Sequence, residues 1–445
     1  MNDNDNNNKY TRNLGFLDLF FTGYGFIIGA GIFTLIGFIL TYGKGSSWLA
    51  FVIGGIICGL TGMGYAKLNA FFPTNDAEYM WIMKILNPPN KEKKSVKYFA
   101  NFVIWIVMIL GVFTAATIVV GQSNFIRQYF DINKHLLIGI LVIIPTIFNM
   151  LGNKYTTRLN KTIMILVTLG FGVLYIFAGT HSKYINEVDI IPKTNFENLI
   201  HASYITIFAY NGFQSIVQLS EEAKDVNDVP KSILASLSFS TVVYALIAIS
   251  VIGLIGVKKG SNSVSPISDA FSVVLGKRGK DFLNIISIIA LTNTFLIATL
   301  SRSRLLHKLS VRGIAPKFLG KLTSITKILG VEKFSNNNKQ EEITVPIASL
   351  IVVSLITFLL TFIKSGAIEA LAKITNGFIY FIFTVVNLLV LIYHFKQKTP
   401  EEEVHIKNVE KEMPMLKGFP WYSLLGLIIS LIFLLLSPKY LSNLK

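Results

Sequence analysis

Side chains that could carry out catalysis are sparse and scattered in this chain. The six histidines show no ligand spacing, and Cys58, the only cysteine, lies in an apolar run. Disulfides within the chain are thereby excluded, and a thiolate metal site has no partner ligands. His201 is the one histidine near an interrupted segment, where a helix-end residue without a role is the more ordinary reading. Glu221 and Glu222 read as a solvated helix end, since nothing places a reaction centre beside them. Gly23-x-Gly25 with Gly29 misses the dinucleotide spacing, and Gly43-Lys44-Gly45-Ser46 lacks the order of a phosphate loop, so no cofactor is implied. What remains able to do chemistry is the backbone. Gly23 to Phe33, GYGFIIGAGIF, sits inside the apolar run Phe16 to Tyr42. Glycine is among the poorest residues for a helix interior. An interrupted helix in hydrocarbon frees N–H and C=O groups, which is tolerated only where protein or a watery cavity receives them. The stretch is therefore a candidate binding site. Its competing reading is close helix packing, because Gly25-xxx-Gly29 is also a small-xxx-small motif.

A second interruption decides between the two. Five apolar segments later, His201 to Ile233 contains Ala209-Tyr210-Asn211-Gly212 in mid-span, a poor helical sequence. Glycine-interrupted segments at matching positions in two five-helix halves point to an inverted-repeat transporter. In that architecture half-helix N-termini turn N–H groups and positive dipole toward an anionic substrate group.

The elements that must hold these breaks are membrane helices. With 52% hydrophobic and 15% charged residues, the chain exposes too much apolar surface for a soluble protein. Eleven apolar segments run roughly 16–42, 47–71, 99–126, 135–152, 161–179, 199–219, 232–257, 281–301, 345–363, 367–394 and 420–437. Residues 1–13 read as a disordered cytoplasmic tail, 14–395 as the transport core in two halves of about 14–180 and 195–395, and 396–445 as a cytoplasmic loop plus one further span. With the N-terminus inside, Lys and Arg favour cytoplasmic loops by roughly two to one. The loop with Lys258, Lys259, Lys277, Arg278 and Lys280 is the exception. The net charge of +16 is thus a topology signal, and Lys91, Lys93, Lys94 and Lys97 suit anionic lipid better than nucleic acid. Glu369 and Lys373 read as an i,i+4 ion pair.

Several motifs also carry a resemblance. Gly29-Ala30-Gly31-Ile32-Phe33 is similar to the first-helix motif of the amino acid–polyamine–organocation superfamily. Phe208-Ala209-Tyr210-x-Gly212-Phe213, with Glu221-Glu222-x-Lys224 and Val229-Pro230-Lys231, resembles that family's sixth helix and its exit. Asn149-x-Leu151-Gly152 with Arg158-Leu159-Asn160, Ser303-Arg304-Leu305-Leu306 with Arg312-Gly313-x-Ala315-Pro316, and Thr344-x-Pro346 fit its fourth-to-fifth junction, eighth helix and ninth-helix start. The resemblance spans about residues 14–395. It implies an all-α polytopic membrane protein of the leucine-transporter type, with a 5+5 inverted repeat and broken helices 1 and 6. By position, the amides of Gly29, Ala30 and Gly31 would receive a substrate carboxylate. Carbonyls near Ile27, Phe208 and Ala209 would receive the amine, Phe208 would close over the substrate, and Tyr210, Asn211 and Gly212 would face its side chain.

The chain departs from that family in places. Lys67-Leu68 stands where Glu-Leu is usual, and Asp76-Ala77-Glu78-Tyr79 where Gly-Gly-x-Tyr is usual, which changes the charges expected at the cytoplasmic gate. The fifth-helix lysine that stands in for a coupling cation in many members aligns with Val167, about two turns beyond Lys161. Exchange, or coupling to an ion from solution (H+ or Na+), is therefore expected, with Thr292 and Thr294 offering hydroxyl oxygens to sodium. Proton-driven accumulation would instead direct attention to Lys161, Lys67 or His201.

The functional expectation is a secondary transporter or exchanger of neutral amino acids in the plasma membrane, without chemistry on the substrate. A polyamine or cationic amino acid carrier is the alternative, but no Asp or Glu lies in the middle of any span to meet a cation. An amino-acid-binding membrane sensor is a second alternative, and a pore would need a continuous polar face that no span provides.

Overall fold

The computed structural model describes residues 12–88, 91–151, 153–324, 344–362 and 368–442. Every apolar segment of the sequence becomes a helix. The first half contains α1 (Phe16–Gly43), α2 (Ser47–Phe71), α3 (Ala77–Leu86), α4 (Lys94–Ile126), α5 (Lys134–Met150) and α6 (Asn153–His181). The second contains α7 (Phe196–Tyr210), the one-turn α8 (Gln214–Val217), α9 (Asp228–Asn262), α10 (Pro266–Val311), α11 (Ile347–Leu360) and α12 (Ile368–Phe395). After these come α13 (Pro400–Glu412) and α14 (Trp421–Ser442). Among the described residues, seven helical stretches are long and apolar enough to cross a membrane, and shorter apolar helices accompany them. Large apolar side chains such as Ile143, Ile147, Leu166, Leu169, Ile176 and Leu435 face outward on α5, α6 and α14. Hydrocarbon, not water, is the medium such faces fit.

Helix ends follow local chemistry. Asn133 accepts the N–H groups of His135 and Leu136 at the start of α5, and Asn195 accepts that of Glu197 at the start of α7. Thr399 and Glu402 form a reciprocal capping box, so the expected loop after 396 contains a helix, α13. Gly256 and Gly276 have φ of 76° and 61° and bend α9 and α10, a left-handed backbone that glycine adopts without penalty. The basic loop 258–280 is thus largely helical. Of the expected tail, 1–11 lie outside the described residues, while Asn13 N–H donates to the Glu222 carbonyl at 3.0 Å. The side chain of Glu369, and so its pairing with Lys373, also lies outside them.

α1 is the centre of the core, packed against α9, α7, α10 and α6. The two expected breaks come out differently. α7 ends at Tyr210, and a turn over 211–213 leads into α8, so the sixth span is interrupted where the sequence places it. α1 is one continuous 28-residue helix, which corrects the expected break at Gly29–Gly31. The physical reason is packing. A Cβ at Gly31 would collide with Cα and Cβ of Ala209, one at Gly29 with the Thr294 hydroxyl, and one at Gly25 with the Asn160 amide. In this arrangement the glycines let neighbouring chains approach, and the helix stays hydrogen-bonded.

Candidate functional site

The site forms where the unbroken α1 crosses the interrupted α7. Both chains run close because Gly31 meets Ala209, and Gly212 likewise lies against the ring of Phe26. Phe208, Ala209 and Tyr210 are fully buried and Asn211 nearly so. A residue outside the sequence-based set completes the crossing. Tyr244, from the middle of α9, directs its hydroxyl at the Ile27 carbonyl of α1 and, at 3.0 Å, at the Ala209 carbonyl of α7. These are two of the carbonyls assigned to the amine. One hydroxyl has a single proton for two acceptors, whereas an ammonium group has three. The Tyr244 hydroxyl thus lies on two carbonyls that the family resemblance assigns to an amine. Its ring is held by Phe51 at 5.1 Å and Tyr210 at 5.2 Å.

The other assigned residues divide. Asn211 donates to the Thr114 hydroxyl at 3.1 Å, while its carbonyl oxygen is buried without a partner. Tyr210 directs its hydroxyl away, to the Phe51 carbonyl at 2.8 Å. Gly29 and Gly31 face different neighbours, α10 and α7, and the side chain of Ala30 lies outside the described residues. The amides of all three belong to the continuous α1 helix.

The residues named for coupling do not form one site. Thr294 donates to the Gly25 carbonyl at 3.0 Å, but Thr292 is bonded to Gln122 of α4. Beside Gly25 the α6 residue is Asn160, which accepts from Asn293 at 2.7 Å, whereas Val167 is simply buried. Lys67 is tied to the Leu416 carbonyl at 2.8 Å, and the His201 ring lies tilted against Tyr42 with centroids 4.0 Å apart.

A second polar region lies at the face where α1 begins. Three ion pairs close it. Arg304 meets Glu222 at 2.9 Å with both side chains buried, Lys308 meets Glu221 at 2.7 Å, and Arg312 Nη2 donates to Asp76 at 3.1 Å. Glu221 and Asp76 are joined further through Thr74, at 3.1 and 2.6 Å. Burial pushes the Glu222 carboxyl up, and Arg304 pulls it back down. Glu222 is thus no solvated helix end, a correction to the sequence reading, because its backbone also binds Asn13 and Leu14. The network links α10 to the turn between α2 and α3 and to the exit of α8. One signal for it was present in the sequence. Arg304 and Lys308 of α10 and Arg312 at its C-cap are spaced four residues apart. Nothing comparable marks Tyr244, a lone polar-tipped aromatic in an apolar run.

Known proteins resemble this chain throughout its length. A family model described as amino acid permease matches residues 14–443. A branched-chain amino acid permease of Bacillus subtilis (strain 168) is 24% identical over 339 residues, 70% of each chain. A vacuolar cationic amino acid transporter of Arabidopsis thaliana is 22% identical over 89% of this chain and 66% of its own length. In fold, the chain is similar to Mhp1, a nucleobase-cation-symport-1 family transporter solved in a closed conformation with bromovinylhydantoin bound. The TM-score is 0.60 at 12% identity, covering 100% of this chain and 96% of the other.

Proposed function

This chain belongs to the amino acid permease family, and from that premise we propose that it carries neutral amino acids across a membrane by alternating access, exchanging substrate for substrate as part of its cycle. It is an integral multi-pass membrane transporter of a small molecule. The reading adds that α1 to α6 and α7 to α12 act as two inverted repeats. The N-terminus lies in the cytoplasm, and the membrane is the plasma membrane.

The observation that carries the reading is the Tyr244 hydroxyl between the Ile27 and Ala209 carbonyls. Here its single proton is shared between the two acceptors. In the loaded protein the substrate ammonium replaces it, and α1 opens at Gly29–Gly31 so that the freed amides of Gly29, Ala30 and Gly31 meet the carboxylate. Phe208 closes over the substrate, while Tyr210, Asn211 and Gly212 border its side chain. Asn211 and Thr114 supply amide and hydroxyl groups but no carboxylate, which favours a neutral side chain over a cationic one. Vesicles holding the purified protein should take up labelled neutral amino acids, faster when the same amino acid is inside. Equal competition by putrescine would contradict the reading.

A further inference from the structure

The acids at the α1 entry face do not all have the same surroundings. Asp76, Glu221 and Glu222 each touch a cation. Glu78, on α3, does not. Its side chain is 2% exposed, and Oε1 accepts the Tyr65 hydroxyl of α2 at 2.9 Å. Oε2 is buried without a partner. The cation that acts on it is Arg302 of α10, also 2% exposed, which makes no ion pair among the described residues and has an unpartnered Nη1. The Arg302 guanidinium is instead laid against α4, where a Cβ on Gly111 would collide with it. Gln214 of α8 has both amide atoms buried and unpartnered. Glu78 of α3, Gln214 of α8 and Arg302 of α10 are thus three buried polar side chains with unpartnered atoms, and the acid and the guanidinium form no ion pair.

Such an arrangement has two stable forms. A buried carboxylate is costly unless a cation touches it, so with Arg302 withdrawn the acid is best neutral. With Arg302 in contact the ionised form is best. Burial holds the Glu78 carboxyl above its ordinary range, and Arg302 pulls against that. The other charged group acting on it, Asp76, is bound by Arg312.

We propose that Glu78 is the proton-binding site of this transporter, protonated at Oε2 while the α1 entry face is closed and deprotonated when α10 brings Arg302 into contact. The carboxyl O–H bond breaks, the proton passes to water on that face, and Arg302 neutralises the carboxylate left behind. This rests on the transporter reading above and deepens it by naming the proton as the ion moved with substrate. Substrate-for-substrate exchange needs only the loaded half of the cycle, so the two are compatible.

Infrared difference spectroscopy of the purified full-length protein tests the site without any substrate. A carboxylic acid C=O band should persist above the ordinary carboxylate titration range and vanish in Glu78→Gln. In Arg302→Gln its midpoint should move up, because the cation favouring ionisation is gone. Vesicles containing a pH-sensitive dye test the coupling. Wild type should move protons with substrate, and Glu78→Gln should lose that flux while exchange falls far less. The proposal is overturned if no such band depends on Glu78, or if Glu78→Gln retains substrate-driven proton flux. If no labelled amino acid is transported at all, the transport reading fails, and the infrared titration still decides whether Glu78 holds a proton.

Discussion

The crossing of α1 and α7 and the face where α1 begins use opposite chemistries. At the crossing, backbone carbonyls, one tyrosine hydroxyl and glycine surfaces meet without a formal charge. At the entry face, Asp76, Glu221, Glu222, Arg304, Lys308 and Arg312 form a charged network around the ends of four elements. The difference is physically sensible. A substrate with its own ammonium and carboxylate needs partial charges that match both and hold neither irreversibly. A closed face needs strong contacts that rearrange as a unit when water enters. Substitutions that separate these roles give the largest tests.

The greatest effect is expected at Gly31. Even the first side-chain carbon collides with the Ala209 backbone, so Gly31→Val should reduce transport to background. Uptake in vesicles would measure this, with size-exclusion chromatography showing whether the protein remains folded. Normal uptake would mean that the crossing is not the site. In the charged region, Arg304→Met leaves Glu222 buried without its cation, at a cost of about 3–5 kcal/mol. A large drop in melting temperature is the expected readout, with substrate affinity changed much less in whatever folds.

The two regions also differ in how legible they were in the sequence. Glycine spacing and the Ala209-Tyr210-Asn211-Gly212 interruption mark the crossing directly, because few residues tolerate those positions. The same glycines misled on α1, since close packing and helix breakage use one residue type, and only neighbours such as Ala209 and Thr294 tell them apart. The charged network was missed because its partners lie far apart in the chain. Glu222 and Arg304 looked like ordinary polar ends of separate spans until folding buried them together. All the apolar segments became helices, because hydrocarbon leaves a backbone little else to be.

Smaller effects refine the comparison. Tyr244→Phe keeps the aromatic contacts and removes the hydroxyl, leaving the Ala209 carbonyl without its donor at about 1–3 kcal/mol. Because that cost is relieved when an ammonium group arrives, substrate should bind tighter, by about fivefold or more. Weaker binding, measured by isothermal titration calorimetry, would make the hydroxyl a direct substrate ligand instead. The smallest effect is on pH dependence. Burial raises the Glu78 pKa above its model-compound value of 4.5. An acid with a raised folded pKa contributes stability below 4.5 that is lost as pH rises through the folded value. Wild type should therefore lose melting temperature relative to Glu78→Gln on raising the pH from 4.5 toward neutrality. Parallel curves would show that Glu78 does not titrate in that window.

The most direct test of the neutral, backbone-built crossing is competition for uptake by derivatives of one transported amino acid. Its methyl ester removes the negative charge offered to Gly29–Gly31, and its N-acetyl form removes the ammonium offered to Ile27 and Ala209. Both should fail to compete, while a longer apolar side chain is still accepted. If either derivative, or putrescine, competes as well as the parent amino acid, the crossing of α1 and α7 is not where the substrate is held.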